Sequence, residues 1–99
     1  MKITEQVYAV GGGHAGLGIS NAYDCNVFLI DGGSELALID AGCGYDVEPI
    51  LGNIRSAGFE PTRVRRLLLT HAHADHCGGA AAGGWQFKNL TLSLHLPQQ

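Results

Sequence analysis

The chain has 99 residues, with six Lys+Arg against nine Asp+Glu and a formal charge of −3, which excludes a basic protein that coats nucleic acid. Its 45% hydrophobic and 15% charged residues describe a globular chain rather than a disordered one, and the length allows one domain at most. The longest apolar stretches, such as Val27 to Ile30 and Leu67 to Leu69, fall far short of the roughly 20 residues a membrane helix needs. Met1 to Gln6 lacks the apolar core of a signal peptide, so a cytoplasmic protein without membrane contact is expected. Cys25, Cys43 and Cys77 form neither an even disulfide framework nor a C-x-x-C pair, and read as small, partly buried thiols.

Ile3 to Val10 mixes β-branched, aromatic and polar residues before Gly11-Gly12-Gly13, predicting a first strand that runs into a flexible glycine loop lasting to Asn21. That loop contains no phosphate-cradling glycine pattern. It is expected to be a mobile lip over a site. Cys25 to Ile30 and Glu35 to Ile39 are short apolar runs separated by Asp31-Gly32-Gly33-Ser34, which predicts a β-hairpin delivering Asp40 at the carboxyl end of its second strand. After Ala41-Gly42-Cys43-Gly44, Asp46 can cap a helix whose first turn holds Glu48 and Pro49. The spacing of Val47, Ile50, Leu51, Ile54 and Ala57 gives it one buried face, and Gly58 stops it. Arg63, Arg65 and Arg66 read as a solvated approach to Leu67-Leu68-Leu69, a short continuous run expected in a strand buried on both faces. Strand, helix and strand together suggest a parallel crossover and an α/β (α+β) fold.

Directly after that strand comes Thr70-His71-Ala72-His73-Ala74-Asp75-His76-Cys77-Gly78-Gly79, with three histidines and a carboxylate inside six residues. In an extended segment His71 and His73 leave the same side, and their nitrogens can converge on one ion. Asp75 and His76 can face a second position as the chain bends toward a helix. Imidazole with carboxylate suits zinc, manganese or iron. The same groups buried without a cation would be expensive to desolvate and would repel one another if protonated. Ligands of α/β sheets also gather outside the carboxyl ends of the strands.

The run matches T-H-x-H-x-D-H-x-G-G throughout, and in this the chain resembles the metallo-β-lactamase-fold hydrolases. Asn26 to Asp31 and Leu38-Ile39-Asp40-Ala41-Gly42 look like the N-terminal hairpin of that family, so the resemblance covers about residues 7–82 of a single partial domain, 1–99. It implies the N-terminal half of an αββα sandwich, a mixed sheet with packed helices. It implies that His71 and His73 hold a first zinc ion and Asp75 and His76 a second, with Asp40 orienting a ligand histidine by accepting its other N–H. The implied reaction is hydrolysis of an ester, thioester, amide or phosphoester of a small-molecule substrate by a metal-activated water, with Asp75 as the catalytic group that handles the leaving-group proton.

The later ligands of the family have no counterparts here, since no acidic residue follows Asp75. His95 lies in the alternating run Leu90 to Leu96, on the polar face of an expected strand, and His14 has no family counterpart. Gly83-Gly84 interrupts the helix begun by Ala80-Ala81-Ala82, and residues 83–99 form an atypical tail. The expectation is a truncated, inactive N-terminal fragment that needs self-association or a missing C-terminal half. Two alternatives are an iron enzyme resembling persulfide dioxygenases on the same scaffold and a non-catalytic metal-binding module.

Overall fold

The computed structural model describes residues 1–14, 16–44 and 46–70, and the backbone of 91–94. Strands β1 (Val7–Gly11), β2 (Val27–Asp31), β3 (Leu36–Ile39), β4 (Val64–Leu69) and β5 (Thr91–Leu94) form one sheet in the order of the chain. β1, β2 and β3 pair antiparallel, whereas β3, β4 and β5 pair parallel. The helix α1 (Glu48–Ser56) makes the crossover from β3 to β4, followed by a 3-10 turn at Pro61–Arg63. The mixed α/β architecture is the one the hydrophobic runs predict, and no described helix is long and apolar enough to cross a membrane.

Period-2 alternation decides which residues meet. Leu29, Leu38 and Leu67 lie side by side across β2, β3 and β4 and are fully buried. Ile50 and Ile54 of α1 join the same cluster of buried residues. The neighbouring row, Phe28, Ile39 and Leu68, faces the other way. There Phe28 and Ile39 are half-buried and Leu68 is 40% exposed, so the expectation of a strand buried on both faces is corrected for β4: among the described elements a helix covers only one side.

β1 starts later than the apolar pattern suggests. The amides of Ile3 and Thr4 both donate to the Val7 carbonyl, at 2.8 and 3.1 Å, and Gln6 N–H donates to Thr4 Oγ1. The segment before Val7 is thus a turn that folds Met1 and Lys2 back beside Tyr8 and Ala9. At the far end of β1 the register slips between Ala9 and Gly11, which leaves Val10 without a partner on β2. A buried carbonyl at such a bulge needs another donor. Asn53 of α1 supplies it, its Nδ2 donating to the Val10 carbonyl at 2.8 Å and to the Ile19 carbonyl at 2.9 Å.

The helix ends behave largely as read. Asp46 Oδ1 accepts Glu48 N–H at 3.1 Å, although the residue at the formal boundary is Val47, which makes no side-chain cap. At the other end Gly58 adopts φ +95°; its N–H reaches the Arg55 carbonyl at 2.9 Å and Phe59 N–H the Ile54 carbonyl at 3.2 Å. This pair of bonds is the Schellman arrangement. It turns Phe59 onto the core, where its ring meets that of Tyr8 edge-on at 5.1 Å. Space around Gly58 is open, so a Gly58→Ala variant meets only the backbone penalty of a positive φ and is expected to lose about 1 kcal/mol, read as a lowered midpoint in urea. An unchanged midpoint would mean that the left-handed turn does not terminate α1.

Arg63 lies in the turn that approaches β4, as read, whereas Arg65 and Arg66 belong to the strand itself. Arg66 Nε pairs with Glu35 Oε1 at 2.7 Å, and Arg63 Nη2 donates to the Gly33 carbonyl at 3.0 Å. Both contacts are exposed and hold the loop between β2 and β3, each worth at most about 1 kcal/mol in water.

Candidate metal centre

Strand directions bring three segments to one edge of the sheet. β1 ends and β2 begins there, and β3 and β4, being parallel, both finish there. The loop 12–26, the turn 40–47 and Thr70 therefore share that edge.

Asp40 follows β3 and is 4% exposed. Its backbone takes φ +66°, the only non-glycine positive φ among the described residues. Asp tolerates this region better than most residues, but the conformation still costs about 1 kcal/mol. The return is visible in its contacts. Asp40 N–H donates to the Leu68 carbonyl at 2.8 Å, while its Oδ1 accepts Thr70 N–H at 2.8 Å and its Oδ2 accepts the Thr70 hydroxyl at 2.7 Å. Charge-assisted bonds of this length are among the stronger ones available to a folded chain. The carboxylate thus clasps the residue immediately before His71. His71, His73, Asp75 and His76 lie outside the described residues, as do Cys77 and His95, and with them the expected bond from a ligand histidine to Asp40. Among the described residues no three His, Cys, Asp or Glu side chains come close enough together to hold a metal ion.

A second buried carboxylate, Asp24, has no part in the sequence reading. It is 4% exposed, accepts Cys43 N–H on Oδ1 at 2.8 Å and accepts the Ser20 hydroxyl on Oδ2 at 2.7 Å. Ser20 Oγ in turn accepts Gly12 N–H at 2.8 Å. Leu17 N–H donates to Asn26 Oδ1, and Ile19 N–H to the Gly12 carbonyl. The glycine loop expected to be flexible is therefore pinned to itself and to the turn after Asp40. Gly42 takes φ +80° in that turn, and a Cβ there would lie 2.7 Å from Asp24 Oδ1, so glycine serves both the turn and the close approach. The lip expectation keeps its place at this end of the sheet, and the described residues of the loop are tied down by these hydrogen bonds. Between the loop's limbs lies a cavity of about 430 Å³, with exposed His14 and Tyr23 and half-buried Asn26 on its walls. One local signal hints at Asp24: an acid three residues before the apolar strand β2, preceded by Ser20 and Asn21.

The model of the metallo-beta-lactamase superfamily matches residues 20–83, more than half of the chain. Solved structures agree in backbone. BJP-1, a subclass B3 metallo-beta-lactamase of Bradyrhizobium japonicum, superposes with a TM-score of 0.66 at 28% identity, over 82% of this chain and 27% of that one. The hydrolase AbOPH, of the beta lactamase superfamily, gives a TM-score of 0.57 at 36% identity, over 68% of this chain and 25% of that one. Ribonuclease Z of Pyrococcus furiosus is 42% identical over 50 residues, half of this chain but 15% of that protein. The chain thus spans about a quarter or less of the length of these relatives.

Proposed function

The chain belongs to the metallo-beta-lactamase superfamily, and from that membership we propose that it carries the first ligand set of a metal-dependent hydrolase. The observation that carries the reading is that the matched stretch, residues 20–83, encloses the whole run Thr70 to Gly79. The donor chemistry fits: three imidazoles and a carboxylate are the borderline and hard donors that zinc takes in hydrolytic sites. In this reading His71 and His73 hold one ion and Asp75 and His76 a second. When bound, such ions lower the pKa of a water toward neutrality and polarise the substrate oxygen. Asp75, ionised as a ligand, would take up a proton released from the attacking water and return it to the leaving group. Asp40 holds the strand end that presents the ligands.

The substrate is a small molecule with an ester, thioester, amide or phosphoester centre. Relatives named as beta-lactamases and as a ribonuclease support the amide and phosphoester ends of that range. The site is partial: no acid follows Asp75, so the 99 residues alone offer no downstream carboxylate to bridge two ions, and self-association or a C-terminal half completes it. Metal content after aerobic purification, followed by stripping and reloading, tests the reading. Zinc uptake with little or no hydrolysis of ester, thioester, lactam and phosphodiester substrates is expected. Bound iron with oxygen consumption on a persulfide would replace it with the dioxygenase-like reading. Absence of uptake of any divalent ion would refute both.

A further inference from the structure

The cavity of about 430 Å³ between the limbs of the loop 12–26 has walls that the chain itself holds in place. Gly13 N–H donates to the Asp24 carbonyl at 3.1 Å and His14 N–H to the Ala22 carbonyl at 3.0 Å, which laces one limb to the other. Every described N–H from Gly12 to Ser20 is engaged in this way, on a carbonyl, on Ser20 Oγ or on Asn26 Oδ1. The glycine limb therefore has no described amide left to cradle a phosphate or another anion. Charge points the same way, since Asp24 is one of the lining residues and, among the described residues, no lysine or arginine is.

Recognition in the cavity falls to side chains. Asn26 Oδ1 accepts Leu17 N–H at 3.1 Å, which fixes the orientation of the amide and leaves its Nδ2 a donor with no acceptor among the described residues. A carbonyl oxygen suits such a donor. Rings stand on both limbs, His14 exposed on the first and Tyr23 68% exposed on the second, and an aromatic face gains by leaving water against another flat group. The volume lies within the range of small-molecule sites, about 300–1,000 Å³. We propose that this cavity is a binding site for a neutral aromatic amide, whose carbonyl accepts from Asn26 Nδ2 and whose ring is covered by Tyr23 and His14. The proposal stands apart from the metal-hydrolase reading, because it uses none of the residues assigned to the ions.

The test titrates benzamide, and benzoate as its anionic counterpart, into the metal-stripped 99-residue chain labelled with nitrogen-15, following the side-chain amide of Asn26 and the backbone amides of His14 and Gly16. Benzamide is expected to saturate these shifts with a Kd of about 1 mM, and benzoate to bind at least about tenfold more weakly because Asp24 repels it. Asn26→Asp keeps an oxygen for Leu17 N–H but replaces the free donor with an acceptor, and should weaken benzamide about tenfold. Tyr23→Ala should weaken it about fivefold. Benzoate as tight as benzamide, or either folded variant binding benzamide as the parent does, would overturn the proposal, and so would parent resonances that benzamide leaves in place. Should Asn26→Asp lose the amide dispersion of a folded chain, nuclear Overhauser contacts between benzamide and the Tyr23 ring in the parent decide instead: contacts are expected, and none at saturating benzamide would overturn it.

Discussion

Protein in which His71 and His73 are both alanine is expected to take up no zinc after stripping and reloading, whereas the parent takes it up measurably. The two imidazoles are the whole protein contribution to one ion in the proposed site, and a zinc ion ordinarily needs at least three protein ligands. The parent site is therefore weak to begin with. Removing both its nitrogen donors leaves Asp75 and His76, one carboxylate and one imidazole, to hold an ion in competition with water. Loss of binding to below detection, measured by equilibrium dialysis against micromolar zinc, is the outcome, with far-ultraviolet circular dichroism unchanged. Zinc content equal to that of the parent would remove His71 and His73 from the site, and with them the reading built on the spacing of the motif.

Leu38→Ala is expected to produce the largest loss of stability. Leu38 is fully buried and sits between Leu29 and Leu67 in the row that crosses the sheet. Truncating such a side chain removes its transfer free energy and leaves a cavity that three paired strands cannot close, at a cost of about 2–5 kcal/mol. A domain of this size holds only about 5–15 kcal/mol in total. The urea midpoint should fall by a large fraction of its value, with the slope of the transition retained if the native state stays compact. A loss under about 1 kcal/mol would show that the row does not form the core.

Local patterns carried most of the fold. Alternation placed the hairpin of β2 and β3, and the spacing of Ile50, Leu51 and Ile54 placed α1 with its Gly58 stop, because each of these is decided within a few neighbouring residues. Several departures share one cause, a partner distant in sequence. Asp24 bonds to Cys43, Asn53 to Val10, and Glu35 to Arg66, and nothing in the local spacing of those residues announces the other end. Hence a glycine-rich loop that looks mobile is pinned by hydrogen bonds, and Arg65 and Arg66, which look like a solvated approach, lie inside β4. At the candidate site Asp40 was legible from its strand-end position. Its left-handed backbone and its hold on Thr70 were not, since both depend on how β3 and β4 come into register.

The order of strands in the sheet has a consequence for how the molecule is made. Because β1 to β5 stand in space as they stand in the chain, every strand leaving the ribosome meets its partner already synthesised and waiting at the open edge. Among the described strands none has to be inserted between two earlier ones, and the passage from β3 to β4 asks the growing end to wait for α1 to form. Assembly can keep pace with translation, which proceeds at about 5–20 residues per second, while hairpins form in about 1–10 μs. The run Thr70 to Gly79, proposed above to bind metal, follows β4 in the chain, so it emerges when the first three strands and α1 are already available as a scaffold.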